Sequence, residues 1–287
     1  MIQLTRARND SAITNGLKGE RLEAKNLALL KLKRKKGELA SKDFKSSMWK
    51  PAKDQLRVES NDKCAYCEAD TKIVAHGDVE HFRPKTLYWW LAYCVDNYLY
   101  SCQICNQTFK SNKFPVSGER LKGPQVRKSW SDTKLERLST RLSPDPVDIR
   151  SAPTLAAFRR ALHAENADLI DPYMEDPAKF LIWIVDDDEK EVLARIKPRV
   201  KHRAAKQKAL DQVYGLNREE LRKVRYQDYR VARSLSRVLD RVEDGRLEDD
   251  ELAVDVREQL TGMMADDHRF AGMIRYFVVK VWKSDLG

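Results

Sequence analysis

Two Cys-x2-Cys pairs constrain this chain more than any other feature of its sequence. Cys64 and Cys67 form the first pair and Cys102 and Cys105 the second, with 34 residues between the pairs. Each pair can bring two sulfur atoms to adjacent corners of a tetrahedron, so two pairs at this distance are typical of a four-thiolate zinc site. We therefore predict a structural zinc ion held by these four cysteines.

Cysteine usage and hydropathy indicate the cellular compartment in which the protein functions. Five cysteines in 287 residues are too few for a disulfide scaffold, which favours a reducing environment. The first ten residues contain no apolar core of signal-peptide length, and the apolar run 273–282 is short and charged. We expect a cytoplasmic protein with no membrane association.

The charge balance favours a polyanionic partner. The chain carries 54 basic and 44 acidic residues, a formal net charge of +10. A positive charge of this kind promotes nucleic-acid binding through counterion release, although many basic proteins bind no nucleic acid. The second cysteine pair is followed directly by a basic cluster, made of Lys110, Lys113, Arg120, Lys122, Arg127 and Lys128.

Hydrophobic periodicity predicts an α+β chain that is mainly α-helical. We divide it into an N-terminal helical arm (1–60), a zinc-stapled finger (61–130) and a C-terminal, mostly helical region (131–287). A helix is predicted over 17–47, and the stretch 116–150 is predicted to be linker and surface.

The C-terminal region carries two further patterns. Residues 180–185 and 191–196 read as the strands of a β-hairpin. A long amphipathic helix follows, with arginines opposite an apolar stripe of Leu221, Val224, Val231, Leu235, Val238 and Val242.

The stretch between the cysteine pairs carries candidate catalytic residues. His81 can accept a proton from water, and Glu80 and Asn106 offer the hard oxygen ligands that suit Mg²⁺ or Mn²⁺. Asn97 can tie the finger loop to the strand that bears His81, because an amide both donates and accepts. Lys110 is one helical turn beyond Asn106 and would meet a phosphate in the same groove.

The predicted local structure raises one geometric difficulty. Residues 72–82 alternate as a β-hairpin would, turning near Gly77, and a helix is predicted over 106–113. Neighbours in a regular strand point to opposite faces, so Glu80 and His81 share a cavity only if the strand bends or ends there. Pro84 makes such an end plausible.

These residues resemble the HNH endonuclease signature in its zinc-knuckled form. The resemblance lies in the string Asp78-Val79-Glu80-His81-Phe82-x-Pro84, then in Asn97, then in Cys105-Asn106 with Lys110 and Phe114-Pro115. It implies a ββα-metal finger around one catalytic Mg²⁺ or Mn²⁺. It also implies that His81 is the general base, Glu80 and Asn106 are metal ligands, and Asn97 fixes the loop. Lys110, Lys113 and Arg83 are predicted DNA contacts.

A wider resemblance covers roughly residues 55–230. Cys64-Ala65-Tyr66-Cys67-Glu68, Trp90-Leu91-Ala92-Tyr93, Glu165 with Leu169-Ile170-Asp171-Pro172, and Gly215-Leu216-Asn217-Arg218 resemble the HNH effectors of Septu-type anti-phage defence. That resemblance implies a DNA endonuclease acting on double-stranded DNA with an ATPase partner.

Two other functions remain open from the sequence. The chain could be a stand-alone restriction-type nuclease, which would cut DNA without an ATPase. It could also be a non-catalytic zinc module that binds nucleic acid or protein, in which case His81 would be dispensable.

Overall fold

The computed structural model describes residues 1–71, 77–148, 150–247, 249–284 and 286. The chain is α+β and largely helical, as the sequence predicts, with two antiparallel strand pairs in its described part. The segments Ile104–Lys110 and Tyr276–Trp282 are π-helices. The other helices and strands are α1 Gly19–Lys36, α2 Lys53–Glu59, β1 Asp78–His81, β2 Tyr98–Ser101, α3 Asp132–Ser139, α4 Leu155–Ala164, β3 Leu181–Asp186, β4 Glu191–Ile196, α5 Arg203–Gln212, α6 Glu219–Glu243, α7 Asp250–Met264 and α8 Ala271–Arg275.

The chain folds as two compact units. The finger unit comprises Thr5–Ser60 and His76–Leu169, and the hairpin unit comprises Met1–Leu4, Asn61–Ala75 and Ile170–Gly287. The three-part division expected from the sequence stays a prediction. Within the described ranges, no helix is both long enough and apolar enough to cross a bilayer.

The finger unit has a strand, a second strand and then the π-helix Ile104–Lys110. β1 pairs antiparallel with β2, so that Glu80 lies opposite Leu99 and His81 opposite Tyr98. The first arm of the hairpin predicted over 72–82, residues 72–76 with His76, lies outside the described residues.

Two boundaries in the finger unit differ from those predicted. The helix expected over 17–47 ends at Lys36, because Gly37 adopts a φ of 80° and its N–H bonds to the Lys33 carbonyl at 2.9 Å. A positive φ is accessible to glycine without steric cost and commonly ends a helix. The predicted linker 116–150 contains α3, which is capped by the Ser131 hydroxyl.

The hairpin unit confirms the two predicted strands within one residue, and α6 packs against β4. The buried face of α6 differs from the predicted apolar stripe: Val231 is 54% exposed, whereas Arg225 is 1% exposed. The Arg225 guanidinium lies 4.8 Å from the Trp183 ring centroid and 5.6 Å from that of Phe270. Cation–π contact therefore offsets part of the cost of burying this charge.

Gly123 should be intolerant of any side chain, because a Cβ atom there would lie 2.1 Å from a ring carbon of Trp90. Trp90 is itself 7% exposed and has little room to move. We expect Gly123→Ala to lower the free energy of unfolding by about 1–3 kcal/mol through overpacking. Thermal unfolding measures this loss. Gly262→Ala in α7 is the matched control, because open space surrounds that position and alanine favours a helix. Equal melting temperatures for Gly123→Ala and wild type would contradict the packing argument.

Candidate active site

The four paired cysteines come together, as the sequence predicts. Their Sγ atoms all lie within 4.8 Å of one another. Zinc–sulfur bonds of 2.3 Å in a tetrahedron place sulfurs about 3.8 Å apart, so the cluster fits a zinc ion. The Cys105 N–H also donates to Cys102 Sγ at 3.5 Å. This cluster can hold one zinc ion.

A cavity of about 600 Å³ lies beside β1 and is lined entirely by residues of the finger unit. Glu80, His81 and Asn106 all line it, so three residues selected from the sequence border one space. Glu80 and His81 are the last two residues of β1, and the chain turns at Pro84 directly after it.

His81 is held in a fixed orientation and is 5% exposed. The Trp49 and Tyr98 rings contact it edge-on, with centroids 4.9 and 5.0 Å away. Its Nε2 lies 3.0 Å from the carbonyl oxygen of Ala92. A carbonyl oxygen only accepts, so we assign the proton to Nε2, which leaves the Nδ1 lone pair free. Burial lowers the pKa of His81 to about 3, so the ring is neutral near pH 7.

Glu80 forms a buried ion pair with Lys110. The Lys110 ammonium is fully buried and lies 2.5 Å from Glu80 Oε1, and it donates to the His81 carbonyl at 3.0 Å. Burial raises the pKa of Glu80, and the Lys110 ammonium opposes that rise. The sequence predicts that Lys110 meets a phosphate. The structure corrects this, because the ammonium is inside the protein and paired with Glu80.

Asn97 connects the loop after β1 to the segment before β2. Its Oδ1 accepts from the Arg83 N–H at 2.8 Å, and its Nδ2 donates to the Arg83 carbonyl at 2.9 Å. The Asn97 carbonyl accepts from the Phe82 N–H at 2.8 Å. These bonds fix the chain directly after His81, so Asn97 positions His81 from outside the cavity.

Arg83 is a second correction to the predicted DNA contacts. Its side chain is 3% exposed, and Nε donates to Glu165 Oε2 at 2.8 Å. Glu165 Oε1 accepts from the Tyr88 hydroxyl at 2.5 Å and from the Leu121 N–H at 2.8 Å. An arginine enclosed in this way has no access to a DNA phosphate, and it instead joins the loop after β1 to α4. Lys113 is exposed, and its contact with DNA stays a prediction.

Removal of the Glu165 carboxylate should be strongly destabilising. Glu165→Ala leaves the Arg83 guanidinium buried without its counter-ion and leaves two further donors unpaired. Breaking a buried ion pair from one side costs about 3–5 kcal/mol. Urea unfolding measures the loss. Glu119→Ala is the matched control, because its ion pair with Lys122 is exposed and should contribute less than about 1 kcal/mol. Equal urea midpoints for Glu165→Ala and Glu119→Ala would contradict the role of Glu165 in holding Arg83.

Trp49, Asp78 and Lys85 also line the cavity, and no role there is predicted for any of them from the sequence. Trp49 contacts the His81 ring, and Lys85 Nζ lies 5.1 Å from the Trp49 ring centroid. Asp78 accepts from Gln107 Nε2 at 3.1 Å. Burial lowers the pKa of Lys85. The position of Asp78 within the quoted motif and that of Lys85 directly after it could have identified them, whereas no local pattern points to Trp49.

Comparison with known proteins gives one informative relative. The chain is similar to the Septu protein PtuB of Bacillus mycoides (strain KBAB4), with 38% identity over 87 residues. The alignment covers 25% of this chain and spans only 30% of that relative's length. No protein-family model and no solved structure matches the chain. The predicted resemblance to Septu proteins is therefore confirmed over part of the sequence.

Proposed function

We propose that this chain is a metal-dependent endonuclease of the HNH type that hydrolyses phosphodiester bonds in DNA. The observation that carries the proposal is the convergence of Glu80, His81 and Asn106 on one cavity. A carboxylate, a neutral imidazole and an amide in that arrangement supply a proton acceptor and hard oxygen donors together. The resemblance of the motif to HNH endonucleases supports the same conclusion.

The donor set fits a hard divalent cation. Glu80 and Asn106 would hold Mg²⁺ or Mn²⁺, with solvent and substrate oxygens completing the shell. When bound, the cation neutralises charge that develops on the phosphate. Lys110 competes for the Glu80 carboxylate, since its ammonium is already 2.5 Å away. We therefore expect weak cation binding until substrate adds further ligands.

His81 is the proposed general base. Its Nδ1 accepts the proton of the attacking water, and the low pKa keeps that nitrogen unprotonated before the reaction. The Nε2–H bond to the Ala92 carbonyl becomes stronger when the ring acquires positive charge. Trp49, Tyr98 and Asn97 hold the ring in place, and Lys85 supplies a cation at the cavity wall.

Removal of the divalent cation should abolish cleavage. Supercoiled plasmid incubated with the protein and Mg²⁺ should be nicked, and EDTA should stop the reaction because Glu80 and Asn106 then hold no cation. Excess Mg²⁺ should restore it. Zinc content is measured in parallel, so that loss of the structural ion is separated from loss of the catalytic one. Cleavage that continues at the same rate in EDTA, with zinc retained, would contradict a catalytic Mg²⁺ site.

We further propose that the chain acts in an anti-phage defence complex with an ATPase. The 87 residues aligned to Septu protein PtuB support this assignment. An ATPase should co-purify with the chain from its native host and should accelerate its plasmid cleavage. Cleavage at the same rate with and without that ATPase would favour the stand-alone nuclease.

A further inference from the structure

A second concave surface of the finger unit has no residue in common with the cavity at His81. This groove has a volume of about 760 Å³ and is lined by residues of the segment 124–141, which includes α3. Four of its lining residues are cations, none of the lining residues is acidic, and one is an aromatic ring. The cations are Arg127, Lys134, Arg137 and Arg141, and the aromatic residue is Trp130.

The four cations are available to a ligand. All are exposed, and none of them forms a salt bridge with a carboxylate in the described part of the chain. Of the two acidic residues of α3, Glu136 does not line the groove, and Asp132 is directed to α1 instead. Its two oxygens pair with Lys31 at 3.0 Å and Arg34 at 2.8 Å. The groove therefore carries uncompensated positive charge.

The base of the groove is held in place by α1. The Arg34 guanidinium donates to the Trp130 carbonyl at 2.7 Å, and Asn26 Nδ2 donates to the Ser139 carbonyl at 3.1 Å. These bonds fix both ends of α3. A groove on a fixed helix can present its cations with little loss of conformational entropy on binding.

Trp130 distinguishes this groove from a plain basic surface. Its ring is half-buried, and Lys134 Nζ lies 4.0 Å from the ring centroid. Guanidinium groups bind phosphates, and an aromatic ring beside them provides a stacking surface for a sugar or base. An acidic protein segment would use the cations but would have no comparable use for the ring.

We infer that this groove binds the sugar–phosphate backbone of the nucleic acid on which the chain acts, outside the cleavage cavity. The inference rests on the proposed nuclease function for the identity of the ligand. It adds a substrate contact surface that the predicted DNA contacts do not include. The nucleic acid must then be long enough to reach both the cavity and the groove.

Binding is measured by fluorescence anisotropy with labelled single-stranded and duplex oligonucleotides of about 20 nucleotides, longer than one single-strand-binding module covers. The protein carries His81→Ala, and divalent cations are omitted, so that cleavage does not interfere. Arg127→Ala, Arg137→Ala and Arg141→Ala are combined as the groove variant. The matched control combines Arg21→Ala, Lys45→Ala and Arg160→Ala, which remove the same charge from exposed positions elsewhere on the finger unit.

The groove variant should bind at least about tenfold more weakly than the His81→Ala protein. The slope of its log binding constant against log salt concentration should become smaller by about 0.7–0.9 per lost phosphate contact. The control should stay within about twofold, because salt screens distant charges. Trp130→Ala should weaken single-strand binding by roughly fivefold or more, with Trp130→Phe restoring it. If the groove variant loses affinity only for the duplex, the groove contacts phosphates and not bases.

Three results would overturn the inference: equal losses in the groove and control variants, unchanged binding in the groove variant, or displacement of the oligonucleotide by polyglutamate at equal charge. The last would assign the groove to an acidic protein. Cleavage by wild type is recorded separately. If the groove binds the oligonucleotide but wild type cleaves no DNA, only the nuclease proposal is refuted. If wild type cleaves DNA but the groove variant binds the oligonucleotide as tightly as the His81→Ala protein, only this inference is refuted.

Discussion

His81→Ala should lower the rate of plasmid cleavage by about 10²- to 10⁴-fold, which is the usual contribution of a positioned general base. That range corresponds to about 2.7–5.5 kcal/mol of transition-state stabilisation. His81 lines a cavity shared with Glu80 and Asn106, and alanine leaves no proton acceptor in its place. Single-turnover cleavage of supercoiled plasmid measures the rate.

The control for His81→Ala is His163→Ala. His163 is exposed on α4 and does not line the cavity, so its removal should leave the rate unchanged. Zinc content and melting temperature of the His81→Ala protein show whether it is folded. A folded His81→Ala protein that cleaves as fast as wild type would remove His81 from the mechanism and favour a different base.

Cys105→Ser should abolish zinc binding and unfold the finger locally. The four sulfurs would supply all four ligands of a tetrahedral zinc ion, and a serine hydroxyl is a poor replacement for a thiolate. Structural zinc contributes on the order of 10 kcal/mol to the folding of small zinc fingers at neutral pH. The finger unit also buries Leu30, Leu56 and Tyr98, so we expect local unfolding and not collapse of the whole unit.

Elemental analysis and amide hydrogen exchange measure the effect of Cys105→Ser. Wild type should carry one zinc per chain, and Cys105→Ser should carry none and exchange rapidly over β2. Cys94→Ala is the control, since Cys94 is buried outside the cluster and burial raises the pKa of its thiol to about 12. Full zinc occupancy in Cys105→Ser would show that the four cysteines do not form the zinc site.

The sequence predicted the cysteine cluster and selected three residues that line one cavity, because both depend on fixed spacings within short motifs. Two residues between paired cysteines determine how their sulfurs can meet. Glu80 and His81 are adjacent, and Asn106 follows Cys105 directly, so a correctly folded finger brings them together. The identity and spacing of neighbouring residues were sufficient to predict these features.

The roles of Lys110 and Arg83 could not be predicted in the same way. Both are cations near the motif, and a basic sequence makes a phosphate contact the simplest expectation. Their actual partners are Glu80 and Glu165, and Glu165 is distant in sequence. Whether a charge is buried with a counter-ion depends on tertiary packing, which single-residue patterns do not report.

The error on α6 has a related cause. The apolar stripe that includes Val231 follows helical periodicity, but the face that packs inward is rotated from it and carries Arg225 and Asp228. The Arg225 guanidinium lies over the Trp183 and Phe270 rings, and Arg269 pairs with Asp228 at 2.7 Å. Those partners come from other elements, so the sequence of α6 alone could not reveal them.

The central claim is that Glu80 and Asn106 hold a hard cation in the cavity that His81 faces, apart from the zinc held by sulfur. Anomalous diffraction from crystals of the His81→Ala protein, grown with a duplex oligonucleotide and Mn²⁺, tests this most directly. The account predicts a zinc peak among the four sulfurs and a manganese peak in contact with oxygens of Glu80, Asn106 and a phosphate. Nucleic acid in the cavity with no manganese there, and with Lys110 still paired to Glu80, would contradict it.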